Sequence, residues 1–553
     1  MRPEVYIKQI AFNDSSVFDF DKKDIVVFTG ANNAGKSQVL REIMRSFASV
    51  SSPTKVITTD INAEYIGDIS ELKSEAKYMN GQYWLGNIQI NNLNYIDDWW
   101  NGRDLSTLSR CFVNHLTTEQ RLHSASPPSS FNQLEQLPLN PIQVLYANDE
   151  KESKLSSFFH KAFNNHIIVN RGAGNIIPLH VGEKPSMQHG EDRVSRSYLE
   201  RLSSLPQLQT QGDGMRSFTG ILLDVFTSKH SITLIDEPEA FLHPPQARLL
   251  GKMLAKNKPN DRQLFISTHS EDFLKGLLDA DSDNVKIIRI NREGNINNMN
   301  LLDNENIKLL WKDSILRYSN ILSGLFHQKV VVCESDTDCR FYQAVMNSLY
   351  DGENEISPDV LFTHCGGKDR LKVVIKALKA LNVKTAAIAD IDVLNEKNKF
   401  KEITDSLDLD WSTLDSNWNI IDEYVRTQRP QLDTDEVKAE ISKILDSVKN
   451  NPFPKNEVEK IKKILKNSTA WSKIKEVGKR FFSGDSYTAF NAINDICKSN
   501  GLHIVPVGEL ECFYKPNPSH GTKWVNEVLE NVDLKLDPEL KEAREFIDEI
   551  IKA

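Results

Sequence analysis

Ile25-Val-Val-Phe-Thr-Gly-Ala-Asn-Asn-Ala-Gly-Lys-Ser-Gln-Val-Leu40 starts as an apolar run of β type, stops at a glycine and resumes with helical spacing. Gly30 and Gly35 bracket four residues and are followed by Lys36 and Ser37, which satisfies the G-x-x-x-x-G-K-[ST] spacing of a phosphate-binding loop. Glycines let the backbone turn its N–H groups inward around phosphate oxygens, and the following helix adds the positive end of its dipole. Lys36 reaches the outer phosphates, and Ser37 ligates magnesium. Gly30, Asn32, Asn33, Gly35, Lys36, Ser37 and Gln38 are therefore the candidate nucleotide contacts. A glycine-bearing turn with a surface lysine would share the composition, but it needs neither a strand before it nor a helix after it.

Outward from this loop, residues 4 to 12 and 17 to 20 alternate apolar with polar residues and predict two antiparallel strands. A helical pattern runs from 38 to about 60. The segment 83 to 148 is mixed, with strand candidates at 83 to 90 and 142 to 147 and a loop at 124 to 130. Residues 151 to 210 are polar and helical in pattern, and read either as an inserted helical lobe for self-association or as an ordinary peripheral subdomain.

Three further stretches carry chemistry. Gln211-Gly-Asp-Gly-Met-Arg-Ser217 puts glycines at the opening of an apolar helix, a weak anion-site signal by itself. Ser231-Ile-Thr-Leu-Ile-Asp-Glu-Pro-Glu-Ala-Phe-Leu-His-Pro244 is a buried strand ending in Asp236 and Glu237. A parallel strand beside the phosphate-loop strand would bring Asp236 to the magnesium and Glu237 to the attacking water. Arg262-Gln-Leu-Phe-Ile-Ser-Thr-His-Ser270 is a third buried strand, ending in Thr268 and His269.

In this order the elements resemble an ABC-type ATPase of the branch that includes RecF-like and SMC-like proteins, over roughly residues 1 to 300. The resemblance implies that Gly30 to Ser37 is the Walker A loop, Asp236 and Glu237 the Walker B pair, Gly212 to Ser217, with Gly214, the signature loop, and His269 the switch histidine. It also implies ATP and a dimer, because the signature loop of one subunit closes over the nucleotide of another. The usual signature serine is replaced by Gly212-Asp213-Gly214. Gln89 and Gln143 are both candidates for the Q-loop glutamine.

A second α/β unit opens at Gln328-Lys-Val-Val-Val-Cys-Glu-Ser-Asp-Thr-Asp338, where a strand delivers Glu334 and Asp338 starts a helix. Val360 to Lys368 reads as a strand, a glycine turn and a helix, and Lys384-Thr-Ala-Ala-Ile-Ala-Asp-Ile-Asp392 as a strand ending in Asp390 and Asp392. Two acids spaced D-x-D point the same way from an extended strand end, and with Glu334 they form a carboxylate nest. Such charges repel unless a divalent cation holds them, and oxygen ligands select magnesium or manganese. Acidic strand ends are also common as solvated surface, so the order of the elements matters more than either pair.

That order resembles the Toprim fold, and Toprim after an ABC-type ATPase is the arrangement of the overcoming-lysogenization-defect (OLD) family of nucleases, over nearly the full chain. The resemblance implies metal-dependent DNA cleavage with Glu334, Asp338, Asp390 and Asp392 as metal-binding acids, Mg2+ or Mn2+ at the nuclease site, and a role in anti-phage defence. It suggests Glu511, from His503-Ile-Val-Pro-Val-Gly-Glu-Leu-Glu511, as a further ligand, with Glu509 competing. Lys523 corresponds to a late lysine that offsets charge at the scissile phosphate, with Lys515 competing. Implied partners are DNA, a second copy of the chain in a homodimer or larger homo-oligomer, and, for some members, a helicase or a retron reverse transcriptase with its DNA.

The fold class expected is α/β: an ABC-type ATPase domain with a helical insertion over 1–305, a helical connector over 306–327, and a Rossmann-like Toprim domain over 328–553 with a helical insertion at about 395–500. The 553 residues exceed one core. A net charge of −10 gives no general affinity for polyanions, so any nucleic-acid surface is local. Lys449 to Arg480 is such a stretch, rich in lysine with Trp471 and Phe481 between, and reads either as a solvated helix face or as a DNA-backbone track. The N-terminus lacks a signal-type apolar run and no stretch is long enough to cross a bilayer, which predicts a cytoplasmic protein without membrane contact. Cys111, Cys333, Cys339, Cys365, Cys497 and Cys512 form no C-x-x-C pair and predict reduced thiols. The rival reading is a nucleic-acid-binding ATPase clamp whose Toprim unit does no chemistry, supported by Ser335-Asp-Thr-Asp338 where the family commonly has a glycine.

Overall fold

The computed structural model describes residues 2–48, 55–79, 81–85, 88–134, 136–302, 307, 311–312, 320–353, 355–428, 434–448, 452–466 and 470–553. The chain divides into two compact units, Met1–Asp313 and Ser314–Ala553. Much of the connector read at 306–327 lies outside the described residues, and its C-terminal part is the 3-10 turn Asn320–Phe326.

In the first unit, β1 (Glu4–Phe12) pairs antiparallel with β2 (Val17–Asp19), as the alternation predicts, and on its other edge with β4 (Thr58–Ile66). The strand β3 (Ile25–Thr29) is buried at every position and leads into helix α1 (Lys36–Ala48). The helical pattern therefore ends well before 60, because Thr58, Thr59 and Ile61 belong to β4, whose β-branched residues pack on β1. A small antiparallel sheet follows, of β5 (Lys77–Met79), β6 (Gln82–Leu85) and β7 (Ile88–Ile90).

The main sheet has the order β14-β13-β3-β12-β11-β8. Its members are β8 (Val113–Leu116), β11 (Ile232–Asp236), β12 (Gln263–Ser267), β13 (Val285–Glu293) and β14 (Ile296–Leu301), all parallel except for the β13-β14 hairpin. Gly294, at φ +63°, turns the chain from β13 into β14. Asp236 does not leave a strand adjacent to β3, since β12 lies between them.

Two other sequence readings change. Residues 142–147 fall in a helix, Pro141–Ala147, which Asn140 caps in a reciprocal box with Gln143 while Pro141 takes the first turn. The segment 151–210 is not wholly helical: between Asp149–Phe163 and Arg196–Ser203 it forms an antiparallel pair, β9 (His166–Val169) and β10 (Leu179–Gly182). Two more helices matter below, α2 (Thr118–Ser124) and α3 (Asp213–Thr227).

The second unit is built on a parallel sheet of order β16-β15-β17-β18, from β15 (Lys329–Cys333), β16 (Val360–His364), β17 (Lys384–Ala389) and β18 (Leu502–Ile504). Helix α4 (Asp336–Leu349) follows β15, and its apolar face packs with Trp524, Phe546 and Phe513 in one core. Between β17 and β18 the described residues are mostly helical, the last two α-helices being α5 (Ala470–Val477) and Asp485–Ser499. Helix α6 (Gly521–Asn531) follows β18. All six cysteines are free. Among the described residues no helix is long and apolar enough to cross a membrane.

Candidate functional sites

In the first unit the loop between β3 and α1 folds tightly. Gly30 has φ +144°, and a Cβ there would collide with the Ile290 carbonyl oxygen on β13, so only glycine fits. Asn33 is also left-handed, at φ +62°, and Asn32 is exposed. The Lys36 ammonium folds back and donates to the Gly30 and Ala31 carbonyls at 2.9 and 3.0 Å. Burial lowers its pKa, and the carboxylates of Glu237, Glu239 and Asp236 oppose that shift. Asn297 on β14 fixes the loop from outside by donating 2.7 Å to the Ala34 carbonyl.

The acids converge on this loop. Ser37 Oγ donates to Asp236 Oδ1 at 2.7 Å, and Ser267 at the end of β12 donates to the same oxygen. Glu237 follows in a left-handed conformation, φ +48°, which turns its half-exposed side chain toward His269, with Nδ1 3.3 Å from Oε1. Gln38 instead donates to Glu42, a buried acid that also accepts from the Val56 and Thr58 amides and so pins the start of β4. Gln143 is consumed in its capping box and in a 2.9 Å bond to the Ser129 carbonyl, and Gln89 is exposed beside Gln82. Gly214 lies in the first turn of α3, where a Cβ would press on the Phe241 carbonyl oxygen.

Two residues that the sequence pattern left unmarked are central here. Glu239 is buried, which raises its pKa; it accepts 2.9 Å from Thr268 Oγ1 and 3.0 Å from the His269 amide, and its Oε1 lies 3.6 Å from His269 Nδ1. The acid two residues beyond Glu237 was visible in the sequence, but its burial was not. Arg121 of α2 is fully buried and donates to the carbonyls of Asp236 and Glu237, to Ser217 Oγ of α3 at 3.1 Å and to Thr118 Oγ1. It ties the glycine-led helix to the backbone that carries the paired acids.

In the second unit Glu334 leaves the end of β15. Burial first, then the charges of Asp392 and Asp338, push its carboxyl up to about 7. The Asp390 amide donates to Glu334 Oε1 at 3.3 Å, and burial followed by the Glu334 charge holds the Asp390 carboxyl well above the usual range. Asp338 caps α4 reciprocally with Ser335, accepting 2.9 Å from its amide and 2.8 Å from its hydroxyl, and burial raises its pKa as well. Asp392 is not on an extended strand end: it sits in the 3-10 turn Ile391–Asn395. There it meets the ammonium groups of Lys368 at 3.2 Å and Lys475 at 3.6 Å.

The late elements divide. Residues 503 to 511 are not one strand, since β18 ends at Ile504 and Leu510–Phe513 is a 3-10 turn. Glu509 pairs with Lys475 at 3.0 Å, whereas Glu511 accepts from the Gly521 amide at 2.8 Å and adds to the negative field at Asp338. One ligand atom each of Glu509, Glu511 and His520 lie within 4.8 Å of one another. Lys523 is exposed, 3.7 Å from Glu527, and Lys515 is exposed; the lysines among the acids are Lys368 and Lys475. The basic stretch is correspondingly divided, with Lys460 and Lys462 paired to Glu457 and Glu459, Arg480 paired to Glu542, and Lys475 turned into the nest. Lys449 and the side chains of Lys463 and Lys466 lie outside the described residues.

The nest offers oxygen ligands alone, from four buried or half-buried acids whose charges are only partly offset, which suits a hard divalent cation.

Each unit contains a stretch that matches a known family. Residues 25–274 match a family described as "AAA domain, putative AbiEii toxin, Type IV TA system", and residues 325–392 match "Overcoming lysogenization defect protein-like, TOPRIM domain". An ATPase-type match followed by an OLD-like TOPRIM match is an order of domains similar to that of OLD nucleases. The Old nuclease of Escherichia phage P2 is 28% identical over 177 residues, 30% of this chain and 29% of that protein. Endonuclease GajA of Bacillus cereus (strain HuB5-5) is 23% identical over 250 residues, 38% of this chain and 35% of that protein. The match thus spans about a third of the length of these relatives. Among solved structures, an SMC head bound to the C-terminal winged-helix domain of ScpA is 13% identical with a TM-score of 0.35, covering 55% of this chain and 99% of that one. The SMC head domain from Thermotoga maritima has a TM-score of 0.28 at 13% identity, covering 55% of this chain and all of that one. An OLD-type pairing of ATPase and Toprim domains implies use of a nucleotide and of a divalent metal.

Proposed function

We propose that this chain is an ATP-controlled, divalent-metal-dependent DNA endonuclease of anti-phage defence, acting as a homodimer or larger assembly in the cytoplasm. The observation that carries the reading is the presence, in one chain, of a phosphate loop whose Ser37 touches Asp236 and of a parallel sheet beyond whose strands β15 and β17 the acids Glu334, Asp338, Asp390 and Asp392 gather.

In the first unit, Lys36 and the loop amides bind the phosphates of ATP, and Ser37 with Asp236 would hold Mg2+. Glu237, oriented by His269, accepts a proton from the attacking water. Arg121 keeps the Asp236 and Glu237 backbone in place. In the second unit Glu334, Asp338 and Asp390 would hold Mg2+ or Mn2+, which supplies Lewis-acid polarisation of a phosphoryl oxygen when bound. Lys368 and Lys475 add positive charge where a DNA phosphate would approach.

Supercoiled plasmid incubated with the purified protein, with and without Mg2+ or Mn2+ and ATP, tests the reading. Metal-dependent nicking or linearisation that Asp390→Ala removes is expected. A protein that binds DNA and hydrolyses ATP but leaves the plasmid intact in either metal would instead be the clamp with a non-catalytic Toprim unit.

A further inference from the structure

The acids of the second unit are not equally supplied with positive charge. Lys475 Nζ lies 3.0 Å from Glu509 Oε2, 3.6 Å from Asp392 Oδ2 and 3.9 Å from Asp390 Oδ2, so three carboxylates from two chain segments surround one ammonium. Lys368 approaches Asp392 from another side at 3.2 Å. Among the described residues no lysine or arginine pairs with Glu334 or Asp338.

The position of Lys475 is built by the backbone. Its carbonyl faces Gly508, which has φ +119° and whose missing Cβ would collide with that oxygen. Cys512 Sγ donates to the same carbonyl at 3.3 Å, and the Lys479 amide donates 2.9 Å to the Pro506 carbonyl just beyond. Ile474 and Ala470 of α5 are buried. The C-terminal end of α5 is therefore clamped to the loop after β18, and its ammonium is delivered among the acids.

We propose that the Lys475 ammonium takes the place of a second divalent cation, leaving a centre that holds one ion on Glu334, Asp338 and Asp390. This rests on the metal-dependent reading of the Toprim unit. Carboxylates collected around one point are the ligands a divalent cation needs at about 2.0–2.1 Å for magnesium. A tethered ammonium competes there intramolecularly, and it brings its charge without the dehydration that magnesium resists.

Counting Mn2+ by electron paramagnetic resonance, with isothermal titration calorimetry, tests it on full-length protein without nucleotide, in an Asp236→Asn background that silences the Walker position. One ion per chain, lost in Glu334→Gln, is expected for the native Lys475. Lys475→Met, isosteric and uncharged, should bind two, and adding Asp392→Asn should return it to one. Two ions with Lys475 in place would overturn the proposal while leaving the nuclease reading intact, and so would a folded Lys475→Met or Lys475→Gln protein that still binds one. No ion that Glu334→Gln removes would overturn both readings. A count of two with Lys475 in place overturns the proposal whether or not the variants fold.

Discussion

Ser37 Oγ lies 2.7 Å from Asp236 Oδ1 although the two residues leave strands that are not neighbours. The intervening strand contributes Ser267, which donates to the same carboxylate oxygen. The serine and the acid are thus paired before any ligand arrives. Asp236→Asn should leave nucleotide affinity measured in EDTA nearly unchanged and remove the gain that magnesium brings. Lys36→Ala should weaken nucleotide binding with or without magnesium by roughly a hundredfold, taking about 1.5–3 kcal/mol for a hydrogen bond to a charged group. Fluorescent-nucleotide titration separates the two patterns, and an unaltered magnesium effect in Asp236→Asn would remove Asp236 from the metal site.

Arg121 is the second test. Its replacement by Met removes the donors to the Asp236 and Glu237 carbonyls and to Ser217, while keeping much of the packing volume. Buried carbonyls left without donors cost about 1–3 kcal/mol each, so the first unit should melt several degrees lower. ATP turnover should fall more than nucleotide binding, because what is lost is the placement of Glu237 rather than a phosphate contact. Equal losses in binding and turnover would contradict this.

Asp390 predicts a trade between stability and function. Its buried carboxyl faces Glu334, and without metal the nearest cation is Lys475, at 3.9 Å. Asp390→Asn removes a charge whose burial is costly, so the metal-free protein should melt a few degrees higher by calorimetry, with plasmid cleavage lost and ATP hydrolysis retained. A lower melting temperature would mean that Asp390 is a structural acceptor, not a strained ligand.

How much of this was legible in the sequence follows from which contacts are local. The phosphate loop is a local pattern, in which spacing along the chain dictates geometry, whereas the D-x-D spacing did not reveal that the chain turns after Asp390 and carries Asp392 into the 3-10 turn Ile391–Asn395. Sheet order is not local: nothing near Asp236 says that β12 intervenes. The helix at Pro141–Ala147 could have been read from Asn140, Pro141 and Gln143, whose capping signature outweighs the apolar run that suggested a strand. Lys475 could not. Its neighbours in sequence make it one lysine of a basic face, and only the approach of α5 to Gly508 turns it toward Asp392 and Glu509. Lys523 had the expected position in the chain but projects from α6 into solvent beside Glu527.

His503 gives the last prediction, a pH dependence of the second unit. The side chain is buried in β18, both ring nitrogens lack a hydrogen-bond partner, and its ring meets Phe546 edge to face. Burial first, then the charges of Lys329 and Lys498, pushes its pKa down to about 3. In the unfolded chain an ordinary histidine titrates near 6.5, so between about pH 3 and pH 6.5 the unfolded state binds the extra proton and the folded state does not. Stability therefore falls as pH is lowered through that window, and it is unaffected by this group above it. At pH 5 the loss amounts to about 2 kcal/mol, from about 1.36 kcal/mol per pH unit. For a unit of this size that is about 4–8 °C in melting temperature. His503→Leu keeps an apolar side chain in the site and has no proton to take up, so calorimetry at pH 7 and pH 5 should show the acid-side drop of the second unit shrinking by that amount. If the drop is the same in both proteins, His503 is protonated or hydrated in the folded state and the acid sensitivity belongs to the carboxylates instead.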